Sequence, residues 1–234
     1  MSKLKNILLI AHRGANKLAP ENTLKAFQKA IDLKADYVEF DTHLSKDGEI
    51  VIMHDKNTSR TTGFKGEISE MSLNELKQLD CGEGEKIPTL KELIEIAKDK
   101  IGLQLEIKSK GQAAKIVALL REHGLIESTI ISSFDHDELI EVQKIEPNLK
   151  LASLVVGIKK GSSIREATDN RFYAIHPLYK FASEKFIQNA HENDIKVNVW
   201  TVDSKIRMRK LIDIGIDGII TNDTEAAKEV LGRA

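Results

Sequence analysis

Short runs of β-branched apolar residues alternate with longer amphipathic stretches along almost the whole chain. This alternation is typical of strand–helix units repeated around a parallel sheet, and therefore of the α/β class. The pattern predicts strands at residues 6–11, 36–42, 50–54, 102–107, 128–133, 150–155, 172–176, 196–201 and 217–221. It predicts helices at residues 22–34, 73–79, 89–99, 111–123, 135–145, 162–168, 183–193, 204–214 and 224–232.

The third predicted strand does not belong to the parallel set. Residues 45–49 read Ser-Lys-Asp-Gly-Glu, and Asp-Gly between alternating runs favours a two-residue hairpin turn. With Asp47 and Gly48 as that turn, Asp41 lies opposite His54. The third strand is then an antiparallel return, which brings His54 back to the carboxylates of the second strand.

The other eight strands predict a (β/α)8 barrel, or TIM barrel, with a β-hairpin and a short insertion after the second strand. A doubly wound open sheet is the alternative, but no glycine-rich phosphate loop follows the first strand. Residues 55–88 are polar and contain glycines, which predicts an insertion at the barrel mouth that helps to shape the substrate pocket. Residues 1–234 are therefore expected to form a single barrel domain.

Charge and composition exclude several function classes. The 35 basic and 36 acidic residues nearly balance, so no global field draws the chain to nucleic acid or to an anionic membrane. No apolar stretch approaches the roughly 20 residues of a membrane span, and the short run near the N-terminus stops at His12. The single cysteine rules out a disulfide framework. We expect a cytoplasmic protein without stable membrane anchoring that acts on a small molecule. A homo-oligomer remains open.

Three carboxylates end two neighbouring strands of the predicted ring. Glu39 and Asp41 are two residues apart, so their side chains share one face of a strand about 6–7 Å apart, and Glu106 ends the next ring strand. Unpaired anions in a barrel lumen are costly unless a cation relieves them. Oxygen ligands suit Mg²⁺ or Ca²⁺, which predicts a divalent-metal site. Ion pairs with Arg13 and Lys108 are the alternative for each acid.

Two histidines also follow predicted strands, His12 after the first strand and His54 after the hairpin return. Cleavage of a phosphodiester needs a base for the attacking oxygen and an acid for the departing alkoxide, and imidazole titrates near neutral pH. His12 and His54 are therefore candidates for an acid–base pair. Arg13 and Lys108 supply positive charge for a phosphate. His176, at the end of the sixth ring strand, is a further candidate for lining the pocket.

Eight short motifs follow one another in order: His12-Arg13-Gly14, Pro20-Glu21-Asn22-Thr23, Glu39-Phe40-Asp41, Asp47-Gly48 leading to His54-Asp55, Glu106-Ile107-Lys108, Ser132-Ser133-Phe134, Trp200-Thr201 and Gly218-Ile219-Ile220-Thr221-Asn222. Each is weak alone, but the ordered set resembles the glycerophosphodiester phosphodiesterase family over nearly the whole chain. That family commonly has an aspartate where this chain has Asn222. We interpret Asn22 as the N-cap of the helix that follows it, with the orientation of Arg13 as a second role, and Asn222 can equally serve as an N-cap.

The resemblance implies a TIM-type barrel that hydrolyses glycerophosphodiesters to glycerol 3-phosphate and an alcohol, using a divalent cation. Glu39, Asp41 and Glu106 would then hold the metal. His12 would be the initial base and His54 the initial acid. The sequence leaves open whether a cyclic glycerol phosphate forms or water attacks directly.

The resemblance also implies roles in substrate binding. Arg13 and Lys108 would grip the phosphate, and Glu21 would contact the metal-bound water or the glycerol. Phe134 and Trp200 would form an apolar wall beside the glycerol. Core packing accounts equally well for these two aromatic residues.

Two other functions are compatible with the sequence. A lysophospholipase D-like phosphodiesterase would act on a bulkier substrate, which the short insertion at the mouth does not exclude. A non-catalytic barrel would bind glycerol phosphate through Arg13 and Lys108. Such a barrel would need neither both histidines nor three carboxylates, so their joint presence favours an enzyme.

Overall fold

A closed ring of eight parallel strands forms the centre of the molecule. The structure, a computed structural model, describes residues 3–157 and 162–233. The strands found there are β1 Leu8–Ala11, β2 Tyr37–Leu44, β3 Ile50–Ile52, β4 Gly102–Ile107, β5 Thr129–Ser133, β6 Lys150–Val155, β7 Ala174–Pro177, β8 Lys196–Val199 and β9 Gly218–Thr221. Strand β1 pairs with both β2 and β9, which closes the ring, and β3 pairs antiparallel with β2 outside it. The predicted TIM barrel is confirmed, and the open-sheet alternative is wrong.

Helices connect the strands and pack around the ring. They are α1 Leu24–Asp32, α2 Ser59–Thr62, α3 Leu73–Gln78, α4 Leu90–Ala97, α5 Ala113–His123, α6 His136–Ile145, α7 Ser162–Asp169, α8 Glu184–His191, α9 Lys205–Asp213 and α10 Thr224–Val230. Short 3-10 turns cover Lys3–Asn6, Ile68–Glu70 and Tyr179–Phe181. All the predicted helices are present, and α2 is an addition. Within the described ranges, no helix combines the length and apolar character that crossing a bilayer requires.

The β2–β3 hairpin is one residue out of the predicted register. Its pairs are Thr42 with Ile52, His43 with Val51 and Leu44 with Ile50. The turn therefore spans residues 46–48, and Gly48 ends it with a φ of 79°, as in a common three-residue hairpin. Asp41 lies opposite Met53, whose amide donates to its carbonyl at 3.0 Å. The predicted pairing of Asp41 with His54 is wrong.

Helix α1 begins at Leu24, one residue later than an N-cap at Asn22 would place it. The hydroxyl of Thr23 accepts a hydrogen bond from the Ala26 amide at 3.2 Å, so Thr23 is the N-cap. Asn22 has a left-handed φ of 57° and donates from Nδ2 to Asp41 Oδ2 at 2.9 Å. The interpretation of Asn22 as a cap is wrong, because its side chain belongs to the carboxylate cluster.

The segment between β3 and α4 packs on a small apolar cluster of its own. Its buried members are Val51, Met53, Ile68, Leu76 and Ile87. Arg60 on α2 extends from this segment to Glu21 in the loop after β1, with Nη2 2.6 Å from Oε1. The segment therefore reaches the carboxyl ends of the ring strands, where the candidate residues lie.

Candidate active site

The chain turns sharply after β1 and places His12 and Arg13 at the barrel mouth. Arg13 has a φ of 54° and Gly14 a φ of 79°. A Cβ on Gly14 would lie 2.7 Å from the Cβ of Ala26, so the position requires glycine. The Arg13 amide donates to Glu39 Oε2 at 2.8 Å. This hydrogen bond ties the turn directly to the acidic residues.

Glu39, Asp41 and Glu106 converge at the carboxyl ends of β2 and β4. Asp41 is in register with Glu106, and one oxygen from each of the three carboxylates lies within 4.8 Å of the others. All three residues are buried. Asp41 Oδ1 and Glu106 Oε1 both face the Lys108 ammonium, although neither makes a hydrogen bond of acceptable geometry among the described residues. Three buried carboxylates crowded at one point form an all-oxygen donor set that fits a hard divalent cation.

Two basic side chains lie against the same carboxylates. Lys108 Nζ is 2.7 Å from Glu106 Oε1 and 3.2 Å from Asp41 Oδ1, and Arg13 Nε is 3.4 Å from Asp41 Oδ2. Burial, followed by the Asp41 charge, raises the pKa of Glu39 and Glu106. Burial acts the same way on Asp41, but Lys108 and Arg13 outweigh it and lower that pKa. The expected ion pairs exist, and when all three acids are ionised the cluster sets three negative charges against two positive ones.

His12 is held by a residue from the opposite end of the chain. Its Nδ1 lies 2.7 Å from Asn222 Oδ1, and its Nε2 lies 4.0 Å from Glu39 Oε2. Burial lowers the pKa of His12, which favours a neutral imidazole that can accept a proton. Asp223, which accepts from the Ala226 amide at 3.0 Å, is the N-cap of α10. The interpretation of Asn222 as a cap is therefore wrong.

His54 is held by its neighbour in sequence. Its Nδ1 lies 2.6 Å from Asp55 Oδ1, and Arg60 pairs with the other oxygen of Asp55. His43 Nε2 donates to the His54 carbonyl at 3.2 Å. Burial lowers the pKa of His54, whereas the charge of Asp41 and the hydrogen bond to Asp55 act in the opposite direction. The carboxylate partner therefore favours the protonated imidazole, while burial keeps the pKa of His54 below its usual value.

One pocket at the mouth gathers most of the predicted residues. It is lined by His12, Arg13, Glu39, His54, Gln104, Glu106, Lys108, Phe134, Leu154, Trp200 and Ile220. Asp41 is absent from the lining because it lies beneath it, in the carboxylate cluster. Glu21 also lies outside the lining, where its carboxylate accepts hydrogen bonds from Arg13 and Arg60. Contact of Glu21 with substrate stays a prediction.

Two aromatic rings form one side of the pocket. Phe134 meets Trp200 edge to face, with ring centroids 5.6 Å apart, and Lys108 Nζ lies 5.9 Å from the Phe134 centroid. Trp200 Nε1 donates to the His176 carbonyl at 2.7 Å. His176 itself does not line the pocket, because its side chain is fully buried and accepts a hydrogen bond from Asn198. Phe134 and Trp200 therefore line the pocket together and His176 does not, while their contact with glycerol stays a prediction.

Sequence reasoning missed several residues that hold or line the site. Gln104 lines the pocket, and the two-residue strand period that relates it to Glu106 would have found it. Asn22 and Asn222 were interpreted as caps, although they contact Asp41 and His12. These contacts join distant segments, so no local pattern reveals them.

Known proteins resemble this chain over nearly its full length. Residues 12–226 match the profile of the Glycerophosphoryl diester phosphodiesterase family. A glycerophosphodiester phosphodiesterase of Caldanaerobacter subterraneus subsp. tengcongensis is 39% identical, with 93% of this chain and 95% of that protein covered. The solved structure of an Oleispira antarctica phosphodiesterase in complex with the product sn-glycerol-3-phosphate is 30% identical with a TM-score of 0.90, covering 96% of both chains. A lysophospholipase D of Rattus norvegicus is 25% identical, with 95% of this chain and 85% of that protein covered.

Proposed function

This chain belongs to the glycerophosphoryl diester phosphodiesterase family and hydrolyses glycerophosphodiesters, and we propose that it does so with a divalent cation and with His12 and His54 as the acid–base pair. The products are glycerol 3-phosphate and an alcohol. One observation carries the proposal: two imidazoles with separate partners face the same pocket as a cluster of three buried carboxylates.

Glu39, Asp41 and Glu106 would hold the cation. Their burial and their mutual closeness support this assignment, and oxygen ligands suit both Mg²⁺ and Ca²⁺. When bound, such a cation supplies Lewis-acid polarisation of the phosphoryl group. Arg13 and Lys108 line the pocket beside the cluster and bind the phosphate oxygens, which offsets the negative charge that develops on them.

His12 removes the proton from the attacking hydroxyl. Its Nδ1 is engaged by Asn222, its pKa is lowered by burial, and its Nε2 lies on the side of Glu39. The new oxygen–phosphorus bond forms as the bond to the alcohol breaks. Attack by the 2-hydroxyl of the substrate gives a cyclic glycerol phosphate that water then opens, whereas attack by water gives the products directly.

His54 protonates the departing alkoxide. Asp55 stabilises the imidazolium form that this step requires, and Arg60 holds Asp55 in place. Phe134 and Trp200 bind the glycerol carbons from the side of the pocket. Each of the two histidines thus has one task in the first step.

The decisive experiment measures glycerol 3-phosphate release from glycerophosphocholine by the purified protein. EDTA should abolish activity, and Mg²⁺ or Ca²⁺ should restore it. His12→Ala and His54→Ala should each lower kcat by at least about 100-fold, because each loses a proton-transfer group. His123→Ala, on the outer helix α5, is the matched control and should remain active.

Two results would contradict the proposal. Full activity after chelation would refute the metal site. Full activity in both folded histidine variants would refute the acid–base pair.

Lysophospholipids are the second candidate substrate class. The half-exposed Phe134 ring extends the apolar wall toward solvent, where an acyl chain would lie, and the similarity to the rat lysophospholipase D supports the same possibility. Lysophosphatidylcholine should be tested beside glycerophosphocholine. A higher kcat/KM for the lysophospholipid would favour this second class. The non-catalytic alternative is wrong, because the chain is a phosphodiesterase.

A further inference from the structure

Asn222 joins His12 to Asp203, an acid in the loop after β8. Asn222 donates twice to Asp203, from Nδ2 to Oδ2 at 2.9 Å and from its backbone amide to Oδ1 at 2.8 Å. Thr221 Oγ1 donates to Oδ1 of the same carboxylate at 3.0 Å. Asn16, in the loop after β1, donates from Nδ2 to Asn222 Oδ1 at 2.6 Å. Loops from three ring strands therefore meet at one amide.

This network leaves one consistent placement of the protons. The Asp203 carboxylate only accepts hydrogen bonds, so the amide of Asn222 presents Nδ2 to it and turns Oδ1 toward His12. That oxygen also only accepts, so His12 Nδ1 carries the proton in the 2.7 Å contact. His12 Nε2 is then the nitrogen with a free lone pair.

The opposite orientation of the Asn222 amide would reverse this result. Its Nδ2 would then face His12 Nδ1 and the donor of Asn16, so Nδ1 would have to accept and Nε2 would carry the proton. A protonated Nε2 cannot act as a base toward a group in the pocket. The contact of Nδ2 with Asp203 selects the first orientation, and the donor of Asn16 favours the same one because it requires an acceptor at Oδ1.

We propose that Asp203 and Asn222 are positioning residues for the reaction. Asp203 fixes the orientation of the Asn222 amide, and that amide fixes the tautomer of His12 that has its unprotonated Nε2 toward the pocket. The inference rests on the proposed role of His12 as the initial base. Neither residue touches the substrate.

An exchange of the two groups tests this proposal. Asn222→Asp alone places a second carboxylate against that of Asp203, and the two repel each other. Asp203→Asn alone removes the carboxylate that fixes the Asn222 amide, so this amide can adopt either orientation. In the double variant, the carboxylate at 222 accepts from His12 Nδ1 and from the amide at 203. Each single change should lower kcat about tenfold with KM nearly unchanged, and the double variant should recover to within about threefold of the parent.

A matched control separates positioning from the anchoring of loops. Lys17 Nζ pairs with Asp223 Oδ2 at 2.6 Å and so ties the same loops, after β1 and β9, without touching the amide network. Lys17→Met should keep the parent kcat. If it costs as much as Asp203→Asn, the network only anchors the loops and the proposal is overturned.

The tautomer of His12 gives a readout that does not depend on turnover. The ¹⁵N spectrum of histidine-labelled protein, with the His12 signals assigned from His12→Ala, should report a protonated Nδ1 in the parent and in the double variant. Asp203→Asn should give a mixture of tautomers. An unchanged tautomer in every variant, or a double variant no better than the worse single one, would overturn the inference. An active His12→Ala would instead refute the role of His12 itself.

Discussion

The pocket has a ring side, which presents His12, and a hairpin side, which presents His54. Each imidazole is held through its Nδ1, but the two hydrogen-bond partners differ in charge. His12 follows a ring strand, its side chain is 17% exposed, and its Nδ1 meets the neutral amide of Asn222. His54 follows the hairpin strand outside the ring, its side chain is 31% exposed, and its Nδ1 meets the carboxylate of Asp55. A carboxylate stabilises imidazolium, and a neutral amide does so far less. The difference favours the base on the ring side and the acid on the hairpin side.

The two sides also differ in what holds them. On the ring side, β1 pairs with β9 over four residues, from Leu8–Gly218 to Ala11–Thr221, and the His12 amide continues the pattern to the Thr221 carbonyl at 3.0 Å. On the hairpin side, Asp55 depends on Arg60, whose side chain is 46% exposed. Exposed ion pairs contribute little stability and are screened by salt. The proposed base, His12, therefore has the more rigid support, whereas the proposed acid, His54, is held mainly by charge.

The largest predicted effect is a difference in kcat between the two histidine variants that depends on the leaving group of the substrate. A p-nitrophenyl ester of glycerol 3-phosphate has a leaving group that departs without a proton, so it needs no general acid. His54→Ala should lose at least about 100-fold in kcat on glycerophosphocholine and recover to within about tenfold of the parent on the p-nitrophenyl ester. His12→Ala should stay at least about 100-fold impaired on both substrates, because the attacking oxygen still needs a base. Release of p-nitrophenol and of glycerol 3-phosphate provides the two measurements.

The reverse pattern would exchange the two roles. If His12→Ala recovered on the activated ester and His54→Ala did not, the acid would lie on the ring side. Equal recovery of both variants would show that the two surroundings do not divide the chemistry.

Hydrophobic periodicity predicted the strands and helices of the ring better than the β2–β3 hairpin and the insertion that follows it. Every strand and every long helix has an apolar face that repeats, whereas α2 covers four residues, Ser59–Thr62, and buries none of them. The hairpin register was wrong because Asp-Gly occurs both as a two-residue turn and as the end of a three-residue turn. Gly48 takes the second form, which the dipeptide alone does not reveal.

The site was predictable where strand ends bring residues together. Parallel neighbours place Asp41 beside Glu106, so carboxylates distant in sequence converge once the ring is assumed. Asn22 and Asn222 were misinterpreted because an asparagine just before a helix is usually a cap. The contact between Asn222 and His12 spans 210 residues, and nothing in the local sequence encodes it.

The second prediction asks whether burial in the ring suffices to keep an imidazole neutral. His176 on β7 is fully buried, and burial lowers its pKa from 6.5 to about 3. The unfolded chain therefore binds a proton between these pH values that the folded chain does not. The free energy of unfolding should fall by about 1.4 kcal/mol for each pH unit below 6.5 on account of this group, until the pH approaches 3.

His176→Gln keeps an acceptor for Asn198 and removes this titration. Urea unfolding of the parent and the variant from pH 7 to pH 4.5 should show a weaker loss of stability in the variant. Parallel curves would mean that His176 is protonated in the folded protein as readily as in the unfolded chain. Burial in the ring would then not explain a neutral His12.

The third prediction concerns a variant in which His54 on the hairpin side has a neutral partner, as His12 has on the ring side. Asp55→Asn replaces the carboxylate at His54 Nδ1 with a neutral amide, which weakens the imidazolium form. We expect kcat on glycerophosphocholine to fall about tenfold, with little change on the p-nitrophenyl ester. Lys56→Met is the control, because Lys56 pairs only with Glu67 on the surface among the described residues. An equal loss on both substrates would mean that Asp55 supports the fold of the hairpin rather than the acid.

The smallest effect concerns the aromatic wall that both sides of the pocket share. Phe134→Ala removes the ring that meets Trp200 edge to face with centroids 5.6 Å apart, so one surface that we propose for contact with the glycerol is lost. An aromatic contact of this kind is worth about 1 kcal/mol, which predicts a rise in KM of about fivefold with kcat within about twofold. Phe64, which is 52% exposed and lies outside the pocket lining, offers the matched control Phe64→Ala with unchanged kinetics. A lower kcat at constant KM would mean that Phe134 stabilises the transition state rather than the bound substrate. The aromatic wall would then orient the reacting groups of His12 and His54 instead of binding glycerol.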